Sequence, residues 1–136
     1  MVKDVVRMKF SEFGDNRGNL VVINEIIDIP IEIKRLFYMY NSDADVVRGQ
    51  HANRFSEFIL INLAGSCKIK VKNGRGDESV LLLDKPHEGI YIPKMVWKDM
   101  YEWSSDSLLL VLTNTLYDES EYIRDYDQYV EEMNRL

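Results

Sequence analysis

The chain is expected to be all-β, a jelly-roll barrel finished by one C-terminal helix. Three observations carry that expectation: short apolar runs of strand length fill the chain before residue 117, turn signals separate them, and a helical period begins only after that point. The runs are Leu20–Ile23, Ile33–Tyr40, Glu57–Leu63, Cys67–Val71, Val80–Leu83, Gly89–Ile92 and Leu108–Leu112, each rich in β-branched or aromatic residues. The breaks are turn-forming: Asp15-Asn16-Arg17-Gly18, Asn41-Ser42-Asp43, Ala64-Gly65-Ser66, Asn73 to Asp77, and Ser104-Ser105-Asp106. Strands at this spacing, with no helical pattern between them, predict an antiparallel sandwich or barrel. At the end of the chain Asp118 is placed to cap a helix, and Glu121 completes a capping-box pattern. Tyr122, Tyr126, Val130 and Met133 then form one apolar stripe. The expected organisation is a single domain over 1–136, with a barrel over about 1–116 and a helix over about 118–134.

Size and composition set the outer limits. A chain of 136 residues supports one domain with a real core and is too short for two. With 46% hydrophobic residues, eight Tyr and five Phe, it is a globular sequence and not a disordered one. A formal charge of -6 argues against non-specific nucleic-acid binding, which needs clustered Lys and Arg. It leaves room for a small anionic ligand in a locally basic pocket. No secretory h-region opens the sequence and no apolar run is long enough to span a bilayer, so no membrane partner is expected. The lone Cys67 has no partner for an internal disulfide and reads as a small buried hydrophobe, which suits a reducing cytoplasm.

The chemistry gathers in two segments. Arg48-Gly49-Gln50-His51-Ala52-Asn53-Arg54-Phe55-Ser56-Glu57, followed by Gly65, matches the spacing of the first half of a cupin-type site. Pro93-Lys94-Met95-Val96-Trp97-Lys98 matches the second half, with Met95 at a position usually given to a small residue. A metal cupin offers His, His, Glu and His at the four ligand positions; here they are His51, Asn53, Glu57 and Lys98. Asn is a weak neutral ligand and a protonated lysine repels a cation, so a jelly roll without a resident metal is expected. In that reading His51 is a general acid or base working near neutral pH. Glu57 orients its ring or anchors a sugar hydroxyl. Lys98 and Arg48 stabilise negative charge developing on an oxygen. Arg48, in a glycine-containing loop, is also placed to meet a pyrophosphate, or is merely a solvated cation. Tyr38 shares a strand face with Leu36, at the mouth of the barrel or inside it. Trp97 reads as core and His87 as a loop residue. A satisfied loop histidine is the bland alternative for His51.

These residues resemble one family. Ile33-Lys34-Arg35-x-x-Tyr38, Arg48-Gly49-x-His51-Ala52, Gly65-Ser66-Cys67, Gly89-x-Tyr91, Val96-Trp97 and Tyr117-Asp118-Glu119-x-x-Tyr122-Ile123-Arg124-x-Tyr126-Asp127 look like the dTDP-sugar 3,4-ketoisomerases, and the similarity runs from Arg17-Gly18 to the final helix. The resemblance implies a cupin-type jelly-roll β-barrel and a homodimer with exchanged N-terminal strands. It further implies 3,4-ketoisomerisation of a dTDP-4-keto-6-deoxyhexose through an enediol, with neither metal nor redox cofactor, on the way to 3-amino-3,6-dideoxy sugars of surface glycans. His51 falls on the family's catalytic histidine. Arg17, Tyr38, Arg48, Asn53, Glu57, Lys98 and Arg124 become candidate substrate-binding residues, Arg17 at a position near the sugar where members differ. Two departures stand out: many members carry a second histidine where this chain has Asn53, and several have His or Arg in place of Lys98. Competing readings are a sugar 3,5-epimerase on a related barrel, a non-catalytic sugar-binding cupin, and a metal-dependent cupin enzyme.

Overall fold

Cys67, Ile69 and Val71 are buried while Lys68, Lys70 and Lys72 are half-exposed, a period of two that only a strand covered on one face can satisfy. The computed structural model, which describes residues 1–136, uses the same alternation throughout. Its strands are β1 (Val6–Lys9), β2 (Glu12–Asp15), β3 (Gly18–Val21), β4 (Arg35–Tyr40), β5 (Arg48–Asn53), β6 (Phe58–Ala64), β7 (Cys67–Lys72), β8 (Glu78–Leu83), β9 (Glu88–Ile92), β10 (Trp97–Tyr101), β11 (Leu108–Thr113) and β12 (Tyr122–Ile123). One α-helix, α1 (Tyr126–Asn134), follows. Two five-stranded sheets face each other, one in the order β1-β9-β6-β11-β4 and the other β12-β5-β10-β7-β8, while β2 and β3 form a separate hairpin. The fold is therefore the expected all-β jelly roll of cupin type with a C-terminal helix, built as two facing sheets.

Three apolar layers hold it together. Phe58, Leu60, Ile69, Val71, Leu83, Ile90, Ile92, Leu109 and Val111 fill the space between the sheets. Phe10, Ile29 and Ile31 cover the outer face of the first sheet over Ile59, Ile61 and Leu112. Tyr129 of α1 covers the outer face of the second over Ala52, Trp97 and Ile123. β6 and β11 are thus buried on both faces, which explains their unbroken apolar sequences. The Tyr129 hydroxyl shares its one proton between the carbonyls of Met95 (2.8 Å) and Lys72 (3.0 Å), and Tyr126 meets the Trp97 ring edge-on at 5.0 Å between centroids. Burial pushes the Cys67 thiol up to about 12, so it behaves as a hydrophobe. No helix is long and apolar enough to cross a membrane.

The helix does not begin where the sequence pattern placed it. Asp118 caps a short 3₁₀ turn, Glu119–Glu121, the chain then runs extended as β12, and α1 starts at Tyr126 under an Asp125 cap that accepts from the Gln128 N–H at 3.0 Å. The capping box fails because the Glu121 carboxylate accepts bonds from Phe55 and Ser56 instead of reaching back to Asp118. Pairing of Tyr122 and Ile123 with Asn53 and Ala52 overrides local helical preference. Tyr122 consequently leaves the helical stripe, and Tyr129, absent from that stripe, is the buried residue of α1.

Candidate functional site

The site is made by two strands of mixed polarity, β5 and β10, that sequence patterning left unassigned. They run antiparallel, with Lys98 opposite His51. The register shifts between Lys98 and Asp99, so that Asp99 faces Gly49 and Gln50 is the extra residue of a bulge. Gly49 (φ 84°) and Gln50 (φ 56°) both lie in the left-handed region. A Cβ on Gly49 would sit 2.7 Å from the Lys98 carbonyl oxygen, so glycine is required by close approach as well as by conformation. In a regular strand residues 48 and 51 would point to opposite faces. The bulge turns Arg48 and His51 toward the same cavity.

That cavity, about 170 Å³, lies between the sheets and is lined by Arg48, Gly49, His51, Lys98, Met100 and Tyr122 on one side and by Phe37, Met39, Phe58, Leu60 and Val111 on the other. The His51 ring half-buries against Tyr122, with centroids 4.7 Å apart, and its Nδ1 lies 3.0 Å from the Gly49 carbonyl oxygen. A carbonyl only accepts, so Nδ1 carries the proton and the Nε2 lone pair is the basic site. Burial and then the neighbouring Lys98 charge, with a lesser push from Arg124, bring the imidazole down to about 4, against upward pulls from the Gly49 carbonyl and the Asn53 side chain. His51 is therefore a neutral base at neutral pH.

Lys98 is only 3% exposed. Its Nζ donates to Asn53 Oδ1 at 3.1 Å and sits 4.2 Å from the Phe58 ring centroid. Burial pushes the ammonium down to about 7, partly opposed by the Glu121 carboxylate. Asn53 Nδ2 is buried without a protein partner. Glu121 is buried and accepts from the Phe55 and Ser56 N–H groups (2.9 and 2.8 Å) and from the Ser56 hydroxyl, which ties the segment before β12 to the end of β5. Those bonds hold its carboxyl below the usual range even though burial pulls the other way.

The sequence-selected residues separate into two groups. Arg48, His51 and Lys98 line the cavity, and Asn53 joins them through Lys98. Arg48 is a strand residue at the bulge and not part of a loop. Arg124 stands outside the lining, with its guanidinium 4.6 Å from the Tyr122 ring centroid and no ion pair to Asp118 or Asp127, yet its charge reaches His51. Glu57 lies elsewhere: its carboxylate accepts from the Tyr91 hydroxyl and from Asn114 Nδ2 at 2.9 Å, so it neither orients the His51 ring nor faces the cavity. Tyr38 points outward beside Tyr40, because the inner face of β4 carries Phe37 and Met39. Arg17, at the tip of the β2–β3 hairpin, pairs with Asp15 in solvent. His87 lies in a loop, as expected, with its ring 3.8 Å from Glu12. Trp97 packs under α1, as core. Tyr122 and Glu121 escaped the sequence reading because both were assigned to a helix. The parity of β5–β12 pairing that puts Tyr122 at the cavity leaves no local signal.

No group of three or more His, Cys, Asp or Glu side chains gathers to hold a metal ion. With Glu57 turned away, the donors near His51 are an amide and an ammonium, which do not fit a divalent cation.

Residues 3–134 match the family model described as "FdtA: WxcM-like, C-terminal". The chain is 38% identical over 122 residues to TDP-4-oxo-6-deoxy-alpha-D-glucose-3,4-oxoisomerase of Aneurinibacillus thermoaerophilus, covering 90% of this chain and 87% of that protein. It superimposes on QdtA, a sugar 3,4-ketoisomerase from Thermoanaerobacterium thermosaccharolyticum solved with TDP, with a TM-score of 0.96, 38% identity, and coverage of 99% and 98% of the two chains. WlaRA, a TDP-fucose-3,4-ketoisomerase from Campylobacter jejuni, matches at 44% identity and a TM-score of 0.91, with 98% of each chain covered.

Proposed function

Since the chain belongs to the FdtA, WxcM-like C-terminal family, we propose that it is an isomerase that moves the ketone of a dTDP-4-keto-6-deoxyhexose from C4 to C3. The single observation that carries this reading is the neutral imidazole of His51, held through Nδ1 and facing Lys98 in a cavity whose remaining walls are apolar except for Arg48. A hydrogen on the carbon beside a ketone is weakly acidic. A positioned base removes it only if the oxygen that gains charge is stabilised. His51 Nε2 takes the C3 proton, and the electron pair enters a C3–C4 double bond. The resulting enediol accepts a proton at C4, while C3 becomes the ketone. Lys98, opposite His51 on the neighbouring strand, stabilises the oxygen charge, and Asn53 holds it. Arg48, at the same wall, is placed for the diphosphate, with Arg124 beyond Tyr122 as a second cation. No electrons leave the substrate, so the step needs no redox cofactor. The experiment is incubation with dTDP-4-keto-6-deoxyglucose in D₂O, followed by NMR at C3, C4 and C5. Ketone migration with deuterium at C4 is expected. Exchange at C5 would instead mark a 3,5-epimerase, and unchanged substrate a binding protein.

The working unit in this proposal is a homodimer with exchanged N-terminal strands, in the cytoplasm where nucleotide-linked sugars are made. Two features support it. The β2–β3 hairpin pairs with neither sheet and exposes Phe13 and Leu20, and the edge strand β4 presents Leu36, Tyr38 and Tyr40 to solvent. A neighbour's hairpin lying on that face buries both, and it gives Arg17 a route to a second chain's cavity. Light scattering is expected to give twice the 16.0 kDa of one chain. A mass of one chain, unchanged in Tyr38→Asp, would remove the dimer from the proposal.

A further inference from the structure

Moving a ketone along a sugar requires two proton relocations. The carbon proton leaves C3 and arrives at C4, and the hydroxyl proton leaves O3 and arrives at O4. One imidazole manages the carbon pair; the oxygen pair needs a second group that can both give and take. Resting on the isomerase reading above, we infer that Lys98 carries the oxygen proton, donating to O4 as the C3–H bond breaks and recovering a proton from O3 as the new ketone forms.

The placement supports this. Lys98 sits directly opposite His51 on the neighbouring strand, and both side chains enter the same cavity, so they meet the same edge of a bound ring. Its Nζ is held from one side only, by the neutral Asn53 Oδ1, and rests over the Phe58 ring. That leaves two of its three N–H bonds for ligand oxygens. The charged and titratable groups around it are few: Arg48 and the neutral His51 on β5, Glu121 before β12, and Arg124 beyond Tyr122. None forms an ion pair with the ammonium, so no carboxylate locks the proton in place. Burial brings the amine to about 7, where an amine and its ammonium interconvert readily. A guanidinium at this position would supply charge but never release a proton.

The balance closes. His51 takes the C3 proton and becomes imidazolium, while the Lys98 ammonium protonates O4 and becomes an amine, giving a neutral enediol. The amine then takes the O3 proton as the C3=O bond forms, and the imidazolium returns a proton to C4. Both side chains finish as they began, and nothing is oxidised overall.

Chemical rescue separates a proton carrier from a fixed cation. Lys98→Ala is expected to retain the circular dichroism spectrum and dTDP binding of the wild type and to lose ketone migration by ~10²-fold or more. Added methylamine is expected to restore migration, with rates that follow the pKa across a series of small amines, whereas guanidinium is expected to restore none. Rescue by guanidinium equal to that by methylamine would assign Lys98 a purely electrostatic role. Lys98→Ala within threefold of wild type, or rescue by neither compound, would overturn the inference as well. Wild-type protein is run beside each sample: absence of ketone migration there defeats the isomerase reading itself, a separate outcome.

Discussion

His51→Ala is expected to lower kcat for ketone migration by ~10²–10⁴-fold, the usual worth of a positioned general base, while leaving the fold and dTDP binding intact. The ring makes one bond, to a carbonyl two residues away, and packs against Tyr122 at the cavity wall, so its loss removes chemistry more than structure. The pH profile gives a sharper check. An ordinary imidazole is mostly protonated at pH 5. This one, pushed down to about 4 by burial, Lys98 and Arg124, stays a base there. In the wild type kcat/KM is therefore expected to rise through a pH of about 4, not 6.5. Stability follows the same shift with a definite sign. The unfolded chain takes up the His51 proton near its ordinary value, whereas the folded chain resists until about 4, so this contribution is full at neutral pH and is lost as the pH falls across that window. Measured rates for both proteins between pH 4 and 8 decide the matter; an active alanine variant, or an acid limb near 6.5, would remove His51 from the base role.

Glu121→Ala is expected to cost about 3 kcal/mol, seen as a fall in Tm on the order of 10 °C, and to lower activity although Glu121 does not line the cavity. The carboxylate is 2% exposed and satisfies two backbone N–H groups and one hydroxyl at the end of β5. Removing it strands those donors in a dry interior, where unpaired groups are costly. It also frees the β12 segment, which presents Tyr122 to His51 and carries Arg124 beside it. Lys98 would lose its opposing charge too, which pushes its ammonium lower still. Thermal melts and kinetics of Glu121→Ala beside Glu121→Gln separate these effects, because glutamine keeps an acceptor but not the charge. A variant as stable as the wild type would show that these donors find other partners.

Much of this was legible from the chain alone. Strand alternation and turn residues named seven of the twelve strands, and the spacing of His51 to Asn53 and of Pro93 to Lys98 singled out polar residues that the fold brings together at one cavity. β5 and β10 went unassigned because polar residues, Arg48, Gln50 and His51 in one and Lys98 and Asp99 in the other, interrupt the apolar pattern around the cavity. The placement of Glu57 shows the limit of spacing: a carboxylate at the end of a strand turns toward whichever hydroxyl and amide the next strands supply, here Tyr91 and Asn114.

Local periodicity and residue chemistry therefore settle the strand class and single out the candidate histidine, because these depend on neighbours within a few positions. Which face of β4 looks inward, where the last helix begins, and how far the His51 and Lys98 protons are loosened depend on contacts between residues tens of positions apart. Pairing across sheets and exclusion of water act on distance in space, and that distance exists only once the two sheets have closed over the cavity.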